Sequence, residues 1–95
     1  MKKIFKSVDE KLADIGFVKL KDDRFVVFYE RHNCHPGGYT QCLDIMHKNS
    51  GRHIVSSYDK DLFDEKQIGN CAVGLTYYEM KLILKKMKEK GWISK

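Results

Sequence analysis

Two segments of this chain open on a capping box and close on a glycine, and the text between them reads as strand. Ser7-Val8-Asp9-Glu10 and Thr76-Tyr77-Tyr78-Glu79 each place Glu three positions after a hydroxyl residue. In that pattern the two side chains satisfy free amides at a helix start. Gly16 and Gly91 follow, where glycine takes the left-handed conformation that ends a helix. In the second segment Met80, Ile83, Leu84 and Met87 fall at i, i+3, i+4 and i+7, one apolar face. In the first, Ile4, Val8, Leu12 and Ile15 share helical spacing, which leaves a start near Lys3 open as an alternative.

From Phe17 to Tyr58, β-branched and aromatic residues run in short stretches broken by turn formers, the chemistry of strands. The stretches are Phe17–Leu20, Arg24–Arg31, Tyr39–Lys48 and Arg52–Tyr58, joined by Lys21-Asp22-Asp23, a longer loop from His32 to Gly38, and Asn49-Ser50-Gly51. Such short connections predict antiparallel hairpins. The expected fold is α+β: an antiparallel four-stranded meander flanked by an N-terminal and a C-terminal helix (α-β-β-β-β-α), with both helices on one face of the sheet. At 95 residues the chain has room for a single small domain, residues 1–95. Residues 59–75 are the least regular; so long a loop is expected to pack on the body or to serve a function, with a short strand or helical turn inside it.

Charge separates along the chain. Eighteen Lys and Arg against 13 Asp and Glu give a net charge of +5. Lys2, Lys3 and Lys6 mark one end and Lys81, Lys85, Lys86, Lys88, Lys90 and Lys95 the other, whereas Asp59, Asp61, Asp64 and Glu65 cluster between them. The longest apolar run, Phe25 to Tyr29, is far below the roughly 20 residues of a membrane helix. The N-terminus meets Ser7, Asp9 and Glu10 where a secretory signal needs an apolar core. Cys34, Cys42 and Cys71 are odd in number, so a reducing cytoplasm is the expected location.

Candidate chemistry is sparse. His32, Cys34 and His35 share one loop with Cys42 close behind; these are zinc ligand types, although no paired Cys-x2-Cys knuckle organises them. His32, Cys34 and His35 are also the best material for an enzyme with a thiol nucleophile, which needs an oriented imidazole and an oxyanion site. His47 and His53 flank the Asn49-Ser50-Gly51 turn and are placed to meet across it. Gly69 to Thr76 has the spacing of a phosphate loop, but Leu75 stands where the lysine belongs. No cofactor and no catalytic role is expected.

The apolar surplus points to binding. Tyr78 and Leu82 fall opposite the Met80-Ile83-Leu84-Met87 face of the last helix. In the second strand Val26 and Phe28 point away from Phe25, Val27 and Tyr29. Val26, Phe28, Tyr78 and Leu82 therefore form the expected partner surface, for a protein and foremost a second copy of the chain. The alternative is nucleic-acid binding through Lys81, Lys85, Lys86 and Lys88, with Tyr77, Tyr78 and Trp92 as stacking groups. The element order is similar to the α-β-β-β-α of the double-stranded RNA-binding domain. That family's Lys-Lys-x-Ala-Lys clamp is replaced here by Thr76-Tyr77-Tyr78-Glu79-Met80-Lys81, and this chain has one strand more.

Overall fold

A computed structural model describes residues 6–64 and 71–93. The elements run α1 (Val8–Asp14), β1 (Phe17–Asp22), β2 (Val26–Cys34), β3 (Tyr39–His47), β4 (His53–Asp59), α2 (Lys60–Asp64) and α3 (Tyr77–Glu89). The four strands form one antiparallel sheet in the order β1-β2-β3-β4, the expected meander. Both capping boxes are present. Ser7 is extended and caps α1, so the helix starts at Val8; Lys3 and Ile4, on which the earlier start rested, lie outside the described residues. Gly16 and Gly91 both have positive φ, 100° and 77°.

The pleat sorts the sheet into two faces. Val27, Ile45 and Val55 lie side by side across β2, β3 and β4, as do Tyr29, Leu43 and Ser57. On this face Val27, Tyr29, Leu43 and Ile45 pack with Phe17, with Leu12 of α1 and with Leu82, Ile83 and Met87 of α3 to form the core. Each fully buried side chain of this size contributes roughly 1.5–3 kcal/mol by leaving water. Both longer helices thus cover the same face.

Two strands run further than expected, and residues 59–75 contain the short helical turn expected of them. β1 reaches Asp22 through a register shift between Lys19 and Lys21, and the Asp23 carboxylate then accepts from the N–H groups of Phe25 and Val26, which turns the chain before β2. β2 continues to Cys34 through a second irregularity after Arg31, where Asn33 takes φ 57°. Residues 59–64 are β4's last residue and the short α2, whose Phe63 ring lies 5.1 Å from that of Tyr58. Further on, Asp59 N–H donates to Cys71 O and Val73 N–H to Ser57 O, so Cys71 to Val73 run along part of the β4 edge. Gly69 and Asn70, which opened the phosphate-loop spacing, lie outside the described residues.

Candidate interaction surfaces

The last helix turns a different face to the core than its apolar periodicity predicts. Its buried residues are Glu79, Leu82, Ile83, Lys86 and Met87, while Met80 and Leu84 are 46% and 51% exposed. Leu82, expected on the partner surface, is 2% exposed and belongs to the core. Lys86, expected to meet phosphate, is equally buried. Apolar periodicity assigns every charge to water, whereas Glu79 and Lys86 of this helix are buried.

Two buried charges on α3 have partners held by other elements. The Lys86 ammonium lies 3.1 Å from Asp9 Oδ1, 3.2 Å from Asp22 Oδ2 and 3.3 Å from Glu89 Oε1. Tyr29 donates its hydroxyl to Asp9 at 2.8 Å, Lys19 binds both Asp9 and Asp22, and Lys90 binds Asp22. Burial would lower the Lys86 pKa, but Asp9 and Asp22 outweigh it and hold the value above the ordinary 10.5. Burial would likewise raise Asp22; Lys90, Lys19 and Lys86 reverse this and keep its carboxyl well below the usual range. Glu79 caps the helix by accepting from Thr76 N–H and also lies 3.0 Å from Arg31, whose guanidinium donates to Gln41 at 2.7 Å and stacks on Phe17. These networks order α1, α3 and the sheet relative to one another and present no free charge to a ligand.

The second face of the sheet carries Val26, Phe28, Met46 and Ile54, each half-buried, and the exposed Val18. Val26 and Phe28 therefore stand where the sequence places them, and Tyr78 is exposed on α3. Among these side chains lie Lys21, Glu30 and Asp44, with Tyr58 donating to Asp44 at 3.1 Å. Burial pushes the Asp44 carboxyl up, opposed by that hydrogen bond, and burial also pushes up the Cys42 thiol. α2 covers one end of this face. Beside it a cavity of about 560 Å³ opens between Asp44, Ser56, Tyr58, Phe63 and Cys71.

His32, Cys34 and His35 line one open cavity of about 280 Å³ with Arg31, Asn33 and Tyr39, but their side chains have separate partners and Cys42 stands apart from them. His32 contacts Glu30 at 3.3 Å and Thr40 at 3.4 Å, Cys34 donates its thiol to Arg31 O, His35 is exposed, and Cys42 is buried on β3. Among the described residues no three His, Cys, Asp or Glu side chains converge as a metal site would require. His47 and His53 do meet across their turn: the Nδ1 atoms are 3.2 Å apart, one donating and the other accepting. Trp92 stacks on His47 with ring centroids 5.4 Å apart, so one face of the indole is already covered.

A second apolar feature arises from the rotation of α3. Met80 and Leu84, lifted out of the core, join Val55, Leu75, Ile83 and Met87 around a cavity of about 280 Å³ between α3 and β4. Sequence reasoning missed it because it depends on which side of Ile83 the helix buries. Among the described residues no helix is long and apolar enough to cross a membrane. In comparisons with known proteins, no family model, no curated protein and no solved structure matches this chain.

Proposed function

We propose that this chain is a non-catalytic protein-binding module that self-associates through the second face of its sheet. The observation that carries this reading is the set of apolar residues Val18, Val26, Phe28, Met46 and Ile54 on a face that α1 and α3 leave uncovered. With strands about 4.8 Å apart rising about 3.3 Å per residue, a four-stranded face has a flat footprint on the order of 400 Å². That is about half of the roughly 800 Å² per partner of a standard-size interface, which puts the expected dimer at the weak end of the range. The charges on the face are of both signs: across the Phe28 row the order is Lys21, Phe28, Asp44 and Ser56. A two-fold axis through Phe28 sets Lys21 of one copy opposite Asp44 of the other, an isologous arrangement that packs two sheets face to face.

Sedimentation equilibrium tests the reading. The wild-type chain is expected at twice 11.1 kDa, and Phe28→Glu and Val18→Glu at the monomer mass with unchanged circular dichroism. A wild-type monomer at about 100 μM, a concentration well above the micromolar constants of even modest interfaces, refutes it, as does a dimer that both variants retain.

A further inference from the structure

The groove between α3 and β4 lies on the opposite side of the sheet from the proposed dimer face and has three features of its own. Its floor and walls are apolar: Val55, Leu75, Met80, Ile83, Leu84 and Met87. Its floor ends at an open strand edge. Ser57 and Asp59 direct their backbone groups away from β3, to Val73 and Cys71. Val55, two residues earlier, shares that direction and has no strand beside it among the described residues. Its rim is basic. Lys81 and Lys88 flank Leu84 on α3, with Lys85 beyond, and none of the three has an ion pair among the described residues.

We propose that this groove binds an extended acidic segment of a protein partner, which adds to the free edge of β4 as a further strand. Alternate side chains of such a strand point to one face, so its apolar residues enter the Met80–Leu84 cavity. Main-chain hydrogen bonds to Val55 supply affinity and the cavity supplies selectivity, the division of labour in strand addition. Carboxylates on the segment meet Lys81 and Lys88, the cations that α3 leaves uncompensated, while Glu79 and Glu89 of the same helix are engaged by Arg31 and Lys86. This charge complementarity selects an acidic segment over a second copy of the chain, because an α3 from another copy brings the same lysines against these.

The test uses fluorescence anisotropy of the labelled heptapeptide Glu-Val-Glu-Ile-Glu-Val-Glu with the full chain at low salt, beside a heptaglutamate and the Lys-for-Glu counterpart. It is run on the Phe28→Glu chain as well, so that binding here is separated from self-association. The alternating acidic peptide is expected to bind about tenfold more tightly than either control, roughly 1.4 kcal/mol. Leu84→Asp, and separately Lys81→Glu with Lys88→Glu, are expected to lose about tenfold with circular dichroism unchanged. Hydrogen exchange of the Val55 amide is expected to slow when the peptide is bound. The proposal is overturned by no binding, by equal binding of heptaglutamate, by an unchanged Val55 amide, or by indifference to Leu84→Asp. A short DNA duplex that displaces the peptide and binds more tightly gives the lysine rim to nucleic acid instead. Dissociation of the wild-type dimer by Leu84→Asp gives the groove to a second copy; either result also overturns it.

Discussion

The Lys86 ammonium and the Asp9 carboxylate lie 3.1 Å apart, which fastens the last helix to the first turn of the first. Lys86→Met keeps most of the side-chain volume while removing the charge, so it isolates this link from packing. It leaves Asp9 and Asp22 facing each other with only Lys19 and Lys90 to balance them. A loss of about 2–3 kcal/mol is expected in urea unfolding, within the range for hydrogen bonds to charged groups. A loss below about 0.5 kcal/mol would show that water replaces the cation without cost.

The same network sets the response to acid. Folding depresses the carboxyls of Asp9 and Asp22 below the ordinary 3.8, as Lys86, Lys19 and their neighbours outweigh burial. A depressed folded value means that the stabilisation is fully present above the unfolded value and is lost as pH falls through the folded one. The melting temperature is therefore expected to be steady from neutral pH down to about 5 and to fall progressively below about 4. Lys86→Met, whose acids are less depressed, is expected to show a shallower slope. For Lys86 itself the raised value gives the opposite sign, with stabilisation lost only as pH climbs above 10.5.

Leu82 and Leu84 are two positions apart on α3 and oppositely placed, at 2% and 51% exposed. Leu82→Ala is expected to cost about 2–5 kcal/mol by opening a cavity in the core, whereas Leu84→Ala is expected to stay within about 0.5 kcal/mol. Chemical denaturation of the two variants distinguishes them. Equal losses would mean that α3 buries both sides.

The elements were legible in the sequence, and the orientation of the last helix was not. Capping boxes, glycine stops and turn residues are local signals, satisfied by amides and carbonyls within a few positions, and they located α1, α3 and the four strands to within a few residues. The face that α3 buries is decided by partners far away in the chain: Arg31 draws Glu79 inward, and Asp9 with Asp22 draws Lys86 inward. Hydrophobic periodicity treats Glu79 and Lys86 as water-facing, so it put Leu82 outside and Met80 with Leu84 inside. On the sheet, where alternation is fixed by the pleat, Val26 and Phe28 were placed correctly from sequence alone. The histidine pair at the β3–β4 turn was legible for the same reason, since a hairpin sets cross-strand neighbours.

Gly16 and Gly74 make a matched pair of backbone tests. Gly16 has φ 100°, and a Cβ there would stand 3.2 Å from Cδ of Arg31. Gly16→Ala is therefore expected to cost about 1–2 kcal/mol and to disturb the Arg31–Glu79 contact. A Cβ at Gly74 meets nothing within 4 Å, and Gly74→Ala is expected to be neutral or to stabilise by up to about 1 kcal/mol through the unfolded chain. Thermal melts of both variants check the contrast; a neutral Gly16→Ala would remove the claim that this turn needs glycine.

The closure of α1 by Lys86 has a consequence for the order in which the molecule can be made. Chains leave the ribosome N-terminus first, and the hairpins of the meander need only neighbours close in sequence, so β1 to β4 can pair once Asp59 has emerged. At that moment Val27, Tyr29, Leu43 and Ile45 still lack the Leu82, Ile83 and Met87 that cover them, and Asp9 and Asp22 share Lys19 but still lack Lys86. Until α3 emerges the sheet's apolar side stays open, and that helix, made after the sheet, both seals the core and adds Lys86 to the two acids.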